Sequence, residues 1–314
     1  MRGAPHQYHE GERAVQERSG EQRIAARNGA MIGNSIIPGA RPFLAAQTMI
    51  AVAVENGDGE VWASLWFGTR GFASAADEGS TLVVDRSRTL PLDVDPVGAA
   101  LREGSALGVL AIELETRRRL RVNGTVRTLS AAALTLEVEE SFPNCPKYIA
   151  KRHLRSRGAA AEDAPHSRPA YEEGSALDAL RLATIARTDT MFVGSAHPSG
   201  GADASHRGGD PGFVRAVDER TLRIPDYSGN SMFQTLGNLH ASPRAGLVFL
   251  DFEGRRLLHV TGTTTLRFDE VDASLVTGGT GRAWDLHVTR WVEGSLPNDV
   301  DAELLERSRV IPQR

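Results

Sequence analysis

The sequence predicts a mainly β protein with a few helices, built as two tandem β-barrels in one chain. Two internal echoes and one pattern predict it. Thr48-Met49 opens a run that reaches Gly71-Phe72, and Thr190-Met191 opens a matching run that reaches Gly212-Phe213. Further on, the segment Gly108 to Gly124 is echoed by Gly246 to Gly262. The echoes lie 142 and 138 residues apart. A solenoid repeat has a period of roughly 20–50 residues, so the spacing points to a repeated domain. The pattern is one of many short strand-like runs with one or two helices per half, which favours paired barrels over a parallel α/β sheet. Such a chain can build internally the two-fold interface that a homodimer builds from two subunits.

The elements follow in order. Residues 9–28 are rich in Glu, Arg, Gln and Ala and read as a solvated helix lying on a neighbour, with Asn28-Gly29 as its stop. Met49 to Val54 and Val61 to Phe67 read as a hairpin. The turn Asn56-Gly57-Asp58-Gly59 joins them, because Asn and Gly tolerate the positive φ that tight hairpins need. Runs at 81–84, 107–113, 120–126 and 134–138 complete the first barrel. Residues 153–174, rich in Arg, Ala, Glu and Pro, read as a linker. Ser175 is the expected cap of a helix over 176–187, with Leu177, Leu180 and Thr184 on one stripe. Strands follow at 191–196, 202–206, 213–217 and 221–224. A short helix over 231–240 leads to strands at 247–251, 257–262 and 284–291. The expected division is an N-terminal helical extension (1–35), a first barrel (36–152), a linker (153–175) and a second barrel (176–314).

Composition narrows the function. At 314 residues the chain has room for two ordinary domains. A net charge of −4 provides no field for nucleic acid. The single cysteine, Cys145, rules out an internal disulfide and argues against a cysteine-held metal cluster. Of the nine histidines no two share a helical ligand spacing with a carboxylate in support, so no metal is expected. The N-terminus lacks the apolar core of a secretory signal, and no apolar run is long enough to span a bilayer. A cytoplasmic protein is the expectation. Thr277 to Arg282 is Gly-rich but lacks the Gly-Lys-Ser/Thr ending of a phosphate loop, and reads as an inter-strand loop.

Certain residues carry a family resemblance. Arg220-Thr-Leu-Arg-Ile-Pro-Asp-Tyr227, a small polar loop, a short helix and Asn238-Leu-His-Ala-Ser-Pro-Arg244 resemble the pyridoxamine 5′-phosphate oxidase-like FMN-binding split barrels. So do Arg119 to Gly124, Phe142 to Ile149 and Ser205-His-Arg-Gly-Gly209. The resemblance covers roughly residues 40–300. It implies tandem split barrels forming an intrachain pseudo-dimer, with FMN in the cleft between them. It implies Ser205, Arg207, Asp226, Tyr227, Asn230 and Ser231 around the phosphate and the flavin from the second half. It implies Arg119 at the ring edge from the first half, where the oxidase proper has a Gln. Relatives often carry Arg-Lys where this chain has Asn230-Ser231, so Arg207 becomes the main phosphate charge. The first half has Asp93 to Gly98 in place of the flavin loop, and Leu257 stands opposite Arg119 in the second, so one flavin site is expected.

The implied activity is that of an FMN-dependent oxidoreductase acting on a small molecule with a diffusing electron donor. The alternative is a flavin- or haem-binding protein without turnover. No nucleic acid or membrane partner is expected, and the chain is read as a monomer or a homodimer. Arg117 and Arg118 read as a solvated strand edge. Cys145 reads as a buried small hydrophobe, or as a thiol tuned by Lys147. Lys147 and Tyr148 read either as cleft residues or as packing. His206 is expected to turn away from Ser205 and Arg207 towards the surface.

Overall fold

A computed structural model describes residues 8–156, 171–199, 201–271 and 276–308. The first sheet contains β1 (Met49–Glu55), β2 (Val61–Phe67), β3 (Ala73–Ala76), β4 (Thr81–Asp85), β5 (Ala106–Glu113), β6 (Arg118–Leu129) and β7 (Ala133–Pro143), ordered β2-β1-β5-β6-β7-β4-β3. After β8 (Lys151–Ser156) and β9 (Tyr171–Gly174) come the strands of the second sheet. These are β10 (Thr190–Ala196), β11 (Ala202–Gly208), β12 (Arg215–Asp218), β13 (Thr221–Pro225), β14 (Arg244–Asp251), β15 (Arg256–Arg267) and β16 (Ala283–Ser295). Their order, β11-β10-β14-β15-β16-β13-β12, is that of the first sheet strand for strand. Both sheets are antiparallel, and each is folded around its own apolar core. The two sheets fit tandem split barrels. A ribbon of β8 and β17 (Val300–Glu306) ties the far ends of the two halves together.

Fine structure repeats as well. β6 and β7 shift register at Asn123/Gly124, and β15 and β16 shift at Thr261/Gly262. Each bulge carries a glycine because the opposite backbone passes where a Cβ would sit, 1.8 Å from Glu137 O in one case and 2.1 Å from His287 O in the other. The halves meet through a third core in which Met49, Leu65, Phe67 and Leu110 pack with Phe192, Val248 and Leu257. At this interface Gly108 of β5 lies under β11, where a Cβ would stand 2.6 Å from the Asp203 backbone. Gly246 of β14 lies under β2 in the same way, 2.5 Å from Val61 O.

The short helices are α1 (Glu10–Arg18), α2 (Gln22–Gly29), α3 (Arg41–Ala45), α4 (Pro96–Ala100), α5 (Ala179–Arg187) and α6 (Gln234–Ala241). The N-terminal segment is two helices rather than one, and α1 lies on α6. Gly11 and Gly237 allow the contact, since a Cβ on Gly11 would reach within 2.2 Å of Gly237 O. His9 caps α1 and Glu12 closes the capping box, accepting from His9 N at 2.8 Å.

Four expectations need correction. Asp178, not Ser175, caps α5, because its carboxylate reaches Arg181 N. Leu180 is exposed, while Leu177 and Thr184 are buried. The segment read as a linker contributes β8 and β9, which find partners in β17 and β16, and residues 157–170 lie outside the described residues. The helix expected over 231–240 starts only at Gln234, because Phe233 is left-handed. Among the described residues no helix is long and apolar enough to cross a membrane.

The crossings at Gly108 and Gly246 generate a test. Gly108→Ala forces a methyl group into backbone rather than into a yielding side chain and is expected to cost about 1–3 kcal/mol. Gly39→Ala, with nothing within 4 Å of its Cβ, is the control. Urea denaturation of both variants measures the difference, and equal midpoints would contradict the close crossing.

Candidate functional site

A cleft of about 900 Å³, open mouth included, runs between the halves. The first half provides β6 and the segment after β7. The second provides the end of β11, the loop after β13 and the start of α6. All seven residues singled out from the sequence line it: Arg119, Ser205, Arg207, Asp226, Tyr227, Asn230 and Ser231. So do Arg121, Cys145, Lys147 and Tyr148.

Strand alternation explains the floor. Arg119 and Arg121 share a face of β6 and both reach the cleft. Arg121 is buried and committed: it pairs with Asp203 at 2.8 Å and donates to Ser205 Oγ at 2.6 Å and to Gln234 Oε1. Ser205 Oγ also meets Thr235 Oγ1 at 2.9 Å, which ties β11 to α6. Arg119 is different: among the described residues no carboxylate pairs with it, and its Nε, like that of Arg121, is buried with no acceptor. Burial, aided by Arg121 and Arg207 and opposed by Cys145, pushes its pKa down to about 10. It stays charged at neutral pH. Arg207 pairs with Asp226 at 3.3 Å, and its Nε too is buried without an acceptor. Asp226 also binds Arg282 Nε at 3.0 Å, so its charge is shared between two guanidiniums.

The loop after β13 is held from behind. Ser231 Oγ donates to Glu21, which precedes α2, and Asn28 Nδ2 of α2 donates to Asn230 O at 2.8 Å. Asn230 Oδ1 accepts from Met232 N at 3.1 Å. Thr280 Oγ1 donates to Asp226 O at 2.7 Å, which gives the Gly-rich loop over 277–282 a bracing role. Two side chains read as phosphate ligands are therefore engaged in shaping the loop. Sequence reading missed Glu21 and Asn28 because they lie some 200 residues from the loop they hold.

Opposite, Tyr148 packs on Tyr227 with ring centroids 5.0 Å apart, and its hydroxyl donates to Ser228 O at 2.9 Å. Burial, with Cys145 and Asp226 nearby, raises its pKa. Cys145 is half-buried on the cleft wall rather than in a core. Arg118 is exposed on Glu113, as a solvated edge should be, whereas Arg117 is half-buried and bonds Ile149 O. His206 overturns the surface reading. It is 6% exposed, edge-on to Phe192, with neither ring nitrogen partnered. It lines the cleft beside its strand neighbours Ser205 and Arg207. Burial and the charges of Arg119, Arg207 and Arg152 hold the imidazole neutral.

The positions that correspond by register lie on the opposite side of the interface. Met49 faces Phe67 as Met191 faces Arg207, and Ile112 faces Arg119 as Leu250 faces Leu257. Arg207 and Ser205 thus correspond to Phe67 and Leu65, and Arg119 to Leu257. Phe67, Leu65 and Leu257 are all in the inter-half core. The second position is filled with hydrocarbon.

His9, Glu10 and His197 bring possible ligand atoms within 4.8 Å of one another, close to α6. Each ring takes a backbone N–H on Nδ1, from Gly11 and Glu12 for His9 and from Ser199 for His197. Nε2 therefore carries the proton, and it faces Asn238 Oδ1 at 3.0 Å in one ring and Glu10 Oε1 at 3.0 Å in the other. The arrangement is a hydrogen-bonded clasp holding the N-terminal segment on the second half. His9 is part of it.

Residues 177–281 match the family model described as pyridoxamine 5′-phosphate oxidase. The second half, which carries the loop and the Arg207 strand, is a pyridoxamine 5′-phosphate oxidase-like split barrel. Similar solved structures include HupZ of Group A Streptococcus, at 15% identity and a TM-score of 0.31, with 40% of this chain and 100% of that chain covered. A putative pyridoxamine 5′-phosphate oxidase of Lactobacillus delbrueckii is 12% identical, with a TM-score of 0.31, covering 38% of this chain and 94% of that one. An FAD-binding protein of Mesorhizobium loti is 13% identical, with a TM-score of 0.28, covering 40% and 99%. No curated protein matches.

Glu12, buried where α1 crosses α6, has its pKa pushed up to about 8 by burial and by Glu140 and Asp203. A folded-state pKa raised from 4.5 means that the folded chain holds a proton the unfolded chain releases. Glu12 therefore lowers stability progressively as pH rises from about 4.5 to about 8. Glu12→Gln keeps the capping-box acceptor and removes the titration. The melting temperature of the variant minus that of the parent should grow across this window and level off above it. A difference independent of pH would refute the assignment.

Proposed function

We propose that the cleft binds FMN, one molecule per chain, and that the protein is an oxidoreductase passing electrons between a small substrate and a diffusing donor. One observation carries the reading: buried donors without acceptors converge on a single cleft. They are Arg119 Nε, Arg121 Nε, Arg207 Nε and Asn144 Nδ2. Buried donors left unpaired are costly, so a ligand rich in acceptors and negative charge is the natural complement. FMN has a phosphate at one end and a row of ring acceptors at the other. Arg207 would hold the phosphate with amides of the loop after β13. Arg119 would face the ring edge, where a fixed cation favours a reduced, anionic ring. Tyr148 and Tyr227 offer the aromatic wall. The flavin itself would supply hydride or electron transfer.

Neutral His206 favours one second reading. A neutral imidazole in the cleft wall with both ring nitrogens unpartnered is also a haem ligand in waiting. The visible spectrum of the purified protein separates the two, since paired blue and near-ultraviolet bands mean flavin and a Soret band means haem. A protein that takes up neither would defeat both readings.

Arg207→Ala is expected to weaken FMN about 10- to 150-fold, the range of one charge-assisted hydrogen bond, and to leave riboflavin almost unchanged. Arg119→Ala should weaken both ligands alike. Fluorescence titration reads both effects. Equal losses for both ligands in Arg207→Ala would move the phosphate elsewhere, and two flavins per saturated chain would contradict the hydrocarbon-filled counterpart.

A further inference from the structure

A second cavity, of about 660 Å³ with its mouth, lies wholly in the first half and shares no wall residue with the cleft. It opens between the end of β4, the loop before α4 and the β6–β7 hairpin. Trp66, Leu92, Leu101, Leu129 and Leu134 line it, and Asp95 is the carboxylate in its wall. Asp95 Oδ2 accepts from Trp66 Nε1 at 2.7 Å. Its Oδ1 is shielded from water and receives no donor. Gly98 lets the carboxylate lie against α4, for a Cβ there would stand 2.4 Å from Oδ2.

No described cation balances this charge. Among the described residues none lies within ion-pair distance of Asp95. Arg86 stands at the exposed rim and donates to Ser130 O at 3.1 Å. His259 is near enough to feel Asp95, but burial holds it neutral despite that carboxylate and its bond to Ala63 O at 2.9 Å. A chamber walled by leucines and Trp66, with Arg86 and Thr89 adding polar surface and one carboxylate short of a donor, suits a guest with an apolar body and one strong donor.

We propose that this cavity is a second ligand site, taking a small apolar molecule that carries a protonated amine, with the Asp95 carboxylate as its anchor. The amine supplies the missing donor and the missing charge together. The leucines and Trp66 take the hydrocarbon.

Calorimetric titration of the full chain with phenethylamine tests this, with 3-phenylpropionate and phenethyl alcohol as isosteres and Trp fluorescence as a second readout. The amine should bind at least about tenfold tighter than either isostere, the scale of a charge-assisted contact. Asp95→Asn keeps an acceptor for Trp66 and should erase that preference. Leu129→Trp should block all three compounds while leaving flavin uptake in the cleft intact. If Asp95→Asn does not fold, the isostere comparison and Leu129→Trp decide alone. Tighter binding of the carboxylate would make Arg86 the anchor and overturn the proposal. Equal binding of all three would reduce the cavity to an apolar hole, and no binding of millimolar amine would also end it.

Discussion

The structure depends on backbone passing over backbone at two glycines. β2 and β11 are sheet edges, with main-chain groups that their own sheets leave unpaired. An exposed edge invites aggregation. Here each edge is laid across the other half, over Gly246 and Gly108, so closely that no side chain fits between. On one side β15 satisfies the covered edge directly. Thr261 Oγ1 donates to Val61 O at 2.7 Å, and His259 Nδ1 lies 2.9 Å from Ala63 O. On the other side the corresponding β6 residues are Asn123 and Arg121, which reach the side chains of Asp203 and Ser205. One arrangement of strands therefore has a dry side and a polar side.

The polar side is where charge gathers. Arg121 is neutralised by Asp203, and Arg207 shares Asp226 with Arg282. That leaves Arg119 as the cation whose burial is least compensated, and burial beside Arg121 and Arg207 lowers its pKa. Burying like charges together costs energy unless something negative arrives. The N-terminal helices contribute by fixing the loop rather than by touching the cleft floor. Glu21 engages both Ser231 and Arg282, so the loop is held in shape before any ligand enters. A loop ordered in advance spares a ligand the cost of ordering it.

Much of this was legible in the residues. The echoes from Thr48 and Thr190 mark β1 and β10, and Gly108 and Gly246 mark the crossings. Alternation along β6 pairs Arg119 with Arg121. What the residues hid depended on distant partners. His206 reads as outward under alternation alone, but Phe192 on the paired strand packs against its ring, and the position is buried. β8 and β17 have neither strong periodicity nor a shared turn, and they become strands because each finds the other across the molecule. Glu21 and Asn28 look like solvated helix residues until the loop they hold is in place. Ser175 is a good cap by type, but Asp178 has the better acceptor one turn nearer the apolar stripe.

Two sheets of like strand order in one chain also change what substitution can do. In a homodimer every residue is present twice, so a leucine placed in one cleft is placed in both. Here Phe67 and Arg207, or Leu257 and Arg119, occupy corresponding positions but are encoded separately. One side is free to become ballast, sealing the interface with hydrocarbon and anchoring the other, while its partner keeps the costly buried charges. The two corresponding positions divide the labour: one, filled with hydrocarbon, holds the halves together, and the other is an open, charged cleft.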